Sequence, residues 1–95
     1  MTIVVTVSIP NVDIARVREV EKTHAHLNAQ VKDALKRHGC ISHRRLYRDD
    51  EILDIDEWES EEGLRAFLAE MGPVIRELAA ARGTGKPSDT IWQVY

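Results

Sequence analysis

Ile52-Leu-Asp-Ile-Asp-Glu-Trp-Glu-Ser-Glu-Glu-Gly-Leu-Arg-Ala-Phe-Leu68 changes its hydrophobic period from two to about 3.6 at one polar junction, and so reads as a strand entering a helix. Residues 51–58 alternate as a half-buried strand does. Beyond them, Ser60 is placed to cap a helix by accepting a bond from an orphan backbone N–H. Glu61 and Glu62 fall in the first turn, where the helix dipole favours negative charge. Leu64, Phe67, Leu68, Met71, Val74 or Ile75, and Leu78 then mark one face of a helix that runs to Arg82-Gly83. Gly72-Pro73 interrupts that face. Proline has no N–H and clashes one turn back, which predicts a kink, or two helices with Pro73 near the start of the second.

Upstream, residues 40–48 form a second β-like run, joined to 51–58 by Asp49-Asp50, a polar pair suited to a tight hairpin. Residues 2–9 put Ile3, Val5, Val7 and Ile9 on one strand face and Thr2, Val4, Thr6 and Ser8 on the other. Pro10-Asn11 ends that strand, and Asn11 or Asp13 can cap the helix beyond it. Ile14, Val17, Val20, Leu27, Val31, Ala34 and Leu35 recur near the helical period until His38-Gly39, where glycine suits the left-handed end. Unbroken, such a helix would extend about 37 Å against about 26 Å for the first strand, which predicts a bend or a projecting end. Thr90 to Tyr95 reads as a last strand after the turn-rich Gly83–Ser88 loop. The order β-α-β-β-α-β is the split βαβ pattern: an α+β, ferredoxin-like fold with a four-stranded antiparallel sheet and both helices on one face.

At 95 residues the chain is one domain, 1–95, of a size that buries only roughly 60–65% of its unfolded surface. The 43% apolar and 31% charged residues are those of a soluble globular protein. A net charge of −3 offers phosphate backbones and anionic lipid no overall attraction, so neither nucleic acid nor membrane is an expected partner. His43-Arg44-Arg45 with Arg48 is the one basic cluster, and alternation divides it between two faces. The single cysteine, Cys40, excludes an intrachain disulfide. The start of the chain, without a basic segment or cleavage site, reads as cytoplasmic.

Asp56-Glu57-Trp58-Glu59-Ser60, a strand ending in acid-x-Trp with a polar pair and an amphipathic helix after it, resembles the dimeric α+β barrel superfamily. Within it, the likeness is to the antibiotic-biosynthesis-monooxygenase-like (ABM-like) domains. Gly39-Cys40-Ile41 is similar to their entry into the second strand. The resemblance implies two sheets packed face to face as a homodimer, a small apolar or aromatic ligand, and cofactor-independent monooxygenase activity on an aromatic or polyketide-like substrate. The haem-degrading members carry Asn, Trp and a His ligand at positions that match Val5 or Thr6, Phe67 and Glu77 here. No His lies beyond His43, so haem chemistry is not implied.

If Ile3, Val5, Val7 and Ile9 face the helices, and Leu53 and Ile55 do likewise, then Thr6, Ser8, Asp54, Asp56 and Trp58 face the barrel. On the second strand either Ile41, His43, Arg45 and Tyr47 or Cys40, Ser42, Arg44 and Leu46 join them; the first set is chosen. The catalytic candidates are His43 as base and Asp54 or Asp56 as its orienter. Thr6, His24, Arg45, Tyr47, Trp58, Phe67 and Trp92 are candidates for substrate binding, with the two indoles as walls. Asp-x-Asp with His43 falls short of a ligand set, so neither metal nor cofactor is expected. The alternative reading is a non-catalytic ligand-binding or assembly domain whose barrel-face polar and Trp residues are dimer interface. On either reading Tyr47, Trp58 and Trp92 leave an apolar sheet face for a second copy to cover.

Overall fold

The computed structural model describes residues 2–95. Seven elements run in the order β1 (Ile3–Ile9), α1 (Ile14–Thr23), α2 (Ala25–Arg37), β2 (Cys40–Arg48), β3 (Glu51–Trp58), α3 (Glu61–Arg82) and β4 (Ser88–Gln93). The strands form one four-stranded sheet in the order β2-β3-β1-β4, with every neighbouring pair antiparallel. This is the ferredoxin-like α+β fold, with the first helix divided in two. Among the described residues no helix is long and apolar enough to cross a membrane.

The expected bend falls at His24, whose backbone leaves the helical region at φ −116° and ψ 32°. Its N–H still closes α1 on the Val20 carbonyl at 2.8 Å, while its own carbonyl opens α2 by accepting from Leu27 and Asn28. Asp13 caps α1 through Oδ1, which accepts from the amides of Ala15 and Arg16. Ser60 caps α3 by accepting from the Gly63 amide at 3.1 Å. Gly39 takes φ 89°, a conformation that costs glycine little, and turns the chain from α2 into β2.

Two expectations about elements need correction. α3 is one continuous helix through Pro73, not two. Pro73 is exposed, so the Ala69 carbonyl it fails to satisfy is on the wet side. Met71 and Leu78, 8% and 2% exposed, anchor the helix to the core on either side of it. β4 begins at Ser88 and ends at Gln93, because its ladder with β1 runs from Ser88 opposite Ser8 to Gln93 opposite Ile3.

The main correction concerns β3. Directly opposed residues of an antiparallel pair share a face. The register sets Ile3 against Trp58, Val5 against Asp56, Val7 against Asp54 and Ile9 against Ile52. Ile52, Asp54, Asp56 and Trp58 therefore look toward the helices, and Leu53, Ile55 and Glu57 toward the open face. The two phases of β3 carry a similar apolar load, Ile52 and Trp58 against Leu53 and Ile55, so alternation alone does not choose between them. Tertiary packing chooses: Trp58, 1% exposed, fills the core with Ile3, Val5, Ala34, Leu64, Phe67 and Met71. Its ring centroid lies 5.3 Å from that of Phe67. A second, smaller core of Val12, Val17 and Ile52 sits near the start of α1.

α2 and α3 meet closely enough at one corner to demand a glycine. A Cβ on Gly63 would stand 2.2 Å from the His38 carbonyl oxygen, a backbone atom that cannot swing away. Gly63→Ala is expected to destabilise the fold by about 1–3 kcal/mol, the cost of overpacking outweighing the gain in helix propensity of up to about 1 kcal/mol. A fall in the urea midpoint at unchanged slope is the check.

Candidate functional site

Flipping β3 carries a polar group into the layer between sheet and helices. β2 pairs with β3 so that His43 opposes Asp56 and Arg45 opposes Asp54. The grouping of His43, Arg45, Asp54 and Asp56 on one face therefore holds, but that face is the helix side. Ile41 drops out of the group because the register shifts between Cys40 and Ser42. β2 is an edge strand that the helices cover incompletely, so this layer is open along that side. The His43 side chain is 42% exposed, while that of Asp56 is 15% exposed.

Two acid–base pairs bridge the strands. His43 Nδ1 is hydrogen-bonded to Asp56 Oδ1. That bond holds the imidazole above its ordinary pKa, against the opposing effect of burial. When the ring is neutral with its proton on Nδ1, the Asp56 bond leaves Nε2 as the free basic atom. Arg45 donates from Nε and Nη2 to the two oxygens of Asp54 at 2.7 and 2.8 Å, a bidentate pair. Asp54, 7% exposed, is the one buried charged residue among those described. The bond to Asp54 raises the Arg45 pKa further above its ordinary value.

The remaining candidates separate. Tyr47 is on the helix side, at the rim. It accepts a 3.4 Å hydrogen bond from Arg18 Nη2, and the Arg18 guanidinium lies 5.6 Å from its ring centroid. Trp58 and Phe67 form the inner wall, and Trp58 Nε1 is buried with no hydrogen-bond acceptor among the described residues. His24 serves the α1–α2 junction, its Nδ1 lying 2.8 Å from Thr23 Oγ1. Thr6, Ser8 and Trp92 are on the opposite, open face, where Trp92 Nε1 donates to Thr6 Oγ1 at 3.0 Å. Trp92 is thus the one indole on that face, beside Val4, Leu46, Leu53 and Ile55. Trp92 at 56% and Leu46 at 42% exposure leave it apolar and uncovered.

Sequence reasoning missed Arg82 and Glu21. Both act electrostatically on Arg45 or on one another from the helix side. The signal for Arg82 was present in the helical stripe, since it lies four residues after the buried Leu78. A last-turn arginine reads equally well as a partner of the helix dipole, which concealed it. Among the described residues no group of three or more His, Cys, Asp or Glu side chains is arranged to hold a metal ion. Shallow depressions lie elsewhere, one at the α2–α3 corner beside His38 and Glu59, the other at the hairpin end beside Leu46 and Arg48.

Sheet order and helix placement are those of the ferredoxin-like α+β fold, and solved structures show the same fold. SnoaB, a cofactor-independent oxygenase from Streptomyces nogalater, superposes with a TM-score of 0.67 at 17% identity, over 99% of this chain and 92% of that one. A monooxygenase from the gene ActVA-Orf6 of Streptomyces coelicolor, in complex with the ligand nanaomycin D, gives 0.72 at 19% identity, over 98% and 87%. A dimeric ferredoxin-like protein from an uncultured marine organism gives 0.73 at 13% identity, over 99% and 88%. No family model matches the sequence, and no curated protein matches it.

Proposed function

We propose that this chain is a homodimeric α+β barrel protein that binds a small aromatic or polyketide-like molecule between its sheet and helices and oxygenates it without a cofactor. The His43–Asp56 pair carries the reading. It supplies a titrating base at the open side of the layer, oriented by a mostly buried carboxylate. The fold of an oxygenase described as cofactor-independent and that of a monooxygenase support it. In such a reaction the deprotonated substrate is itself the electron-rich partner of oxygen. The protein's task is then to take the proton, on His43 Nε2, and to hold the anion away from water. Trp58 Nε1 offers a free donor to a ligand acceptor deeper in the layer. The apolar open face, with Val4, Leu46, Leu53, Ile55 and Trp92, is the surface that a second copy covers, as the dimeric neighbour supports.

Oxygen uptake with anthrone, an aromatic ketone with an acidic C–H, tests the proposal. Turnover is expected to rise with pH as His43 loses its proton, through a midpoint above the ordinary histidine value of about 6.5. Asp56→Asn should move that midpoint down. His43→Ala should cost about 10²–10⁴-fold in turnover with circular dichroism and dimer mass unchanged. Undiminished turnover in His43→Ala removes the proposal's base and with it the proposal.

A further inference from the structure

Among the described residues, the Arg82 cation of the inner layer makes no salt bridge. Arg82 closes α3 four residues beyond Leu78, on the helix face that packs toward the sheet. Its Nε is buried and has no hydrogen-bond acceptor among the described residues. The charges that act on it are those of Arg45, Asp54 and Glu21. Asp54 is already occupied, since both of its oxygens accept from Arg45. Asp56 is bonded to His43 through Oδ1 and is not among the charges that act on Arg82. Glu21 stands on the exposed side of α1, where water screens it.

Asp54 is bonded to Arg45 and Asp56 to His43, whether the ring is neutral with its proton on Nδ1 or doubly protonated, and Arg82 is bonded to neither carboxylate. Burial, and then the neighbouring Arg45, pull its pKa below the ordinary guanidinium value, against the smaller opposing effects of Asp54 and Glu21. A guanidinium remains charged under these conditions, so the arrangement is completed by an anion brought from outside. The planar fork of arginine matches an oxyanion better than any other acceptor available in a small aromatic molecule.

We propose that Arg82 is the anion-binding residue of the sheet–helix site, and that the ligand carries an oxyanion there. The oxyanion is either a fixed carboxylate or an oxygen that ionises on binding. In the second case the O–H bond breaks, the proton passes to His43 Nε2, and the electron pair stays on the ligand oxygen facing Arg82. The inference rests on the reading that the ligand enters this layer, but not on any later oxygenation.

Three probes with one aromatic body test it by calorimetric titration: 2-naphthoate, 2-naphthol and 2-naphthalenemethanol. If the oxyanion is a fixed carboxylate, wild-type protein binds 2-naphthoate at least about tenfold more tightly than the neutral alcohol. If it forms on binding, 2-naphthol ionises in the complex at least about one pH unit below its value in water, read from naphtholate fluorescence. Arg82→Gln should abolish whichever preference is seen while leaving affinity for the alcohol unchanged, and Arg82→Lys should retain part of it. Arg65→Gln, on the exposed side of α3, should retain all of it.

Equal wild-type affinity for the probes with no shift in naphthol ionisation, including no measurable binding of any, overturns the inference. So does an undiminished preference in Arg82→Gln. The wild-type comparison and Arg82→Lys stand even where Arg82→Gln fails to fold. A naphthoate preference kept in His43→Ala separates the two proposals, because anion binding then survives whatever becomes of oxygen uptake.

Discussion

Trp58→Ala is expected to destabilise the protein by about 3–5 kcal/mol, which is most of what a domain of this size has to lose. The magnitude comes from position. Trp58 is 1% exposed and touches both sides of the layer, lying opposite Ile3 on β1 and against Phe67 on α3. Truncation removes the largest side chain from the main core and leaves a hole that α3 cannot close. Its N-terminal turn is pinned at Ser60 and at the Gly63–His38 contact. Trp58→Phe keeps an aromatic body against Phe67 and removes the unpartnered N–H, so a smaller cost of about 1–2 kcal/mol is expected. Urea denaturation at two protein concentrations is the measurement. A loss carried by the subunit's own core lowers the midpoint at both. If Trp58→Ala instead left the unfolding of the subunit intact and only dissociated dimers, Trp58 would belong to the open face and the β3 register would be wrong.

That alternative is the one the sequence itself suggested, and the reason is physical. Along β1 the phase is legible, because Ile3, Val5, Val7 and Ile9 oppose a set that contains two hydroxyls. The hairpin bounds at 40–48 and 51–58 are legible too, since Asp49-Asp50 stops both runs. On β3 each phase offers two good core residues, and the choice depends on what α3 brings over the sheet. Leu64 and Phe67 arrive above Trp58, and once the indole is buried the period of two carries Asp54 and Asp56 inward with it. Two carboxylates in a core layer are tolerable only because β2 supplies Arg45 and His43 at the same register. The site's residue types were therefore readable from alternation, but its side of the sheet was not. For Pro73, exposure decided the outcome: a breaker on the wet face of a well-anchored helix removes one hydrogen bond and leaves the helix whole.

Breaking the Arg45–Asp54 pair has the second largest expected effect. Asp54→Ala leaves the Arg45 guanidinium, with 27% of its side chain exposed, facing a hydrophobic core. Arg45→Met leaves the Asp54 carboxylate, with 10% exposed, without its partner. Removing one member of a fully buried pair costs about 3–5 kcal/mol; partial solvent access to Arg45 brings the expectation here to about 2–4 kcal/mol for each single change. The double variant Asp54→Leu/Arg45→Met removes both charges and fills the space with apolar atoms. It should recover most of that loss, because the penalty of each single variant is the stranded charge rather than the missing bond. A double-mutant cycle read by urea denaturation gives the coupling directly. If the double variant is as unstable as the sum of the two singles, the residues act independently, and the bidentate geometry is not what holds the edge strand β2 to β3. If it recovers, the pair is dispensable for folding, and its place beside His43 and Arg82 favours the proposed ligand site over a purely structural role.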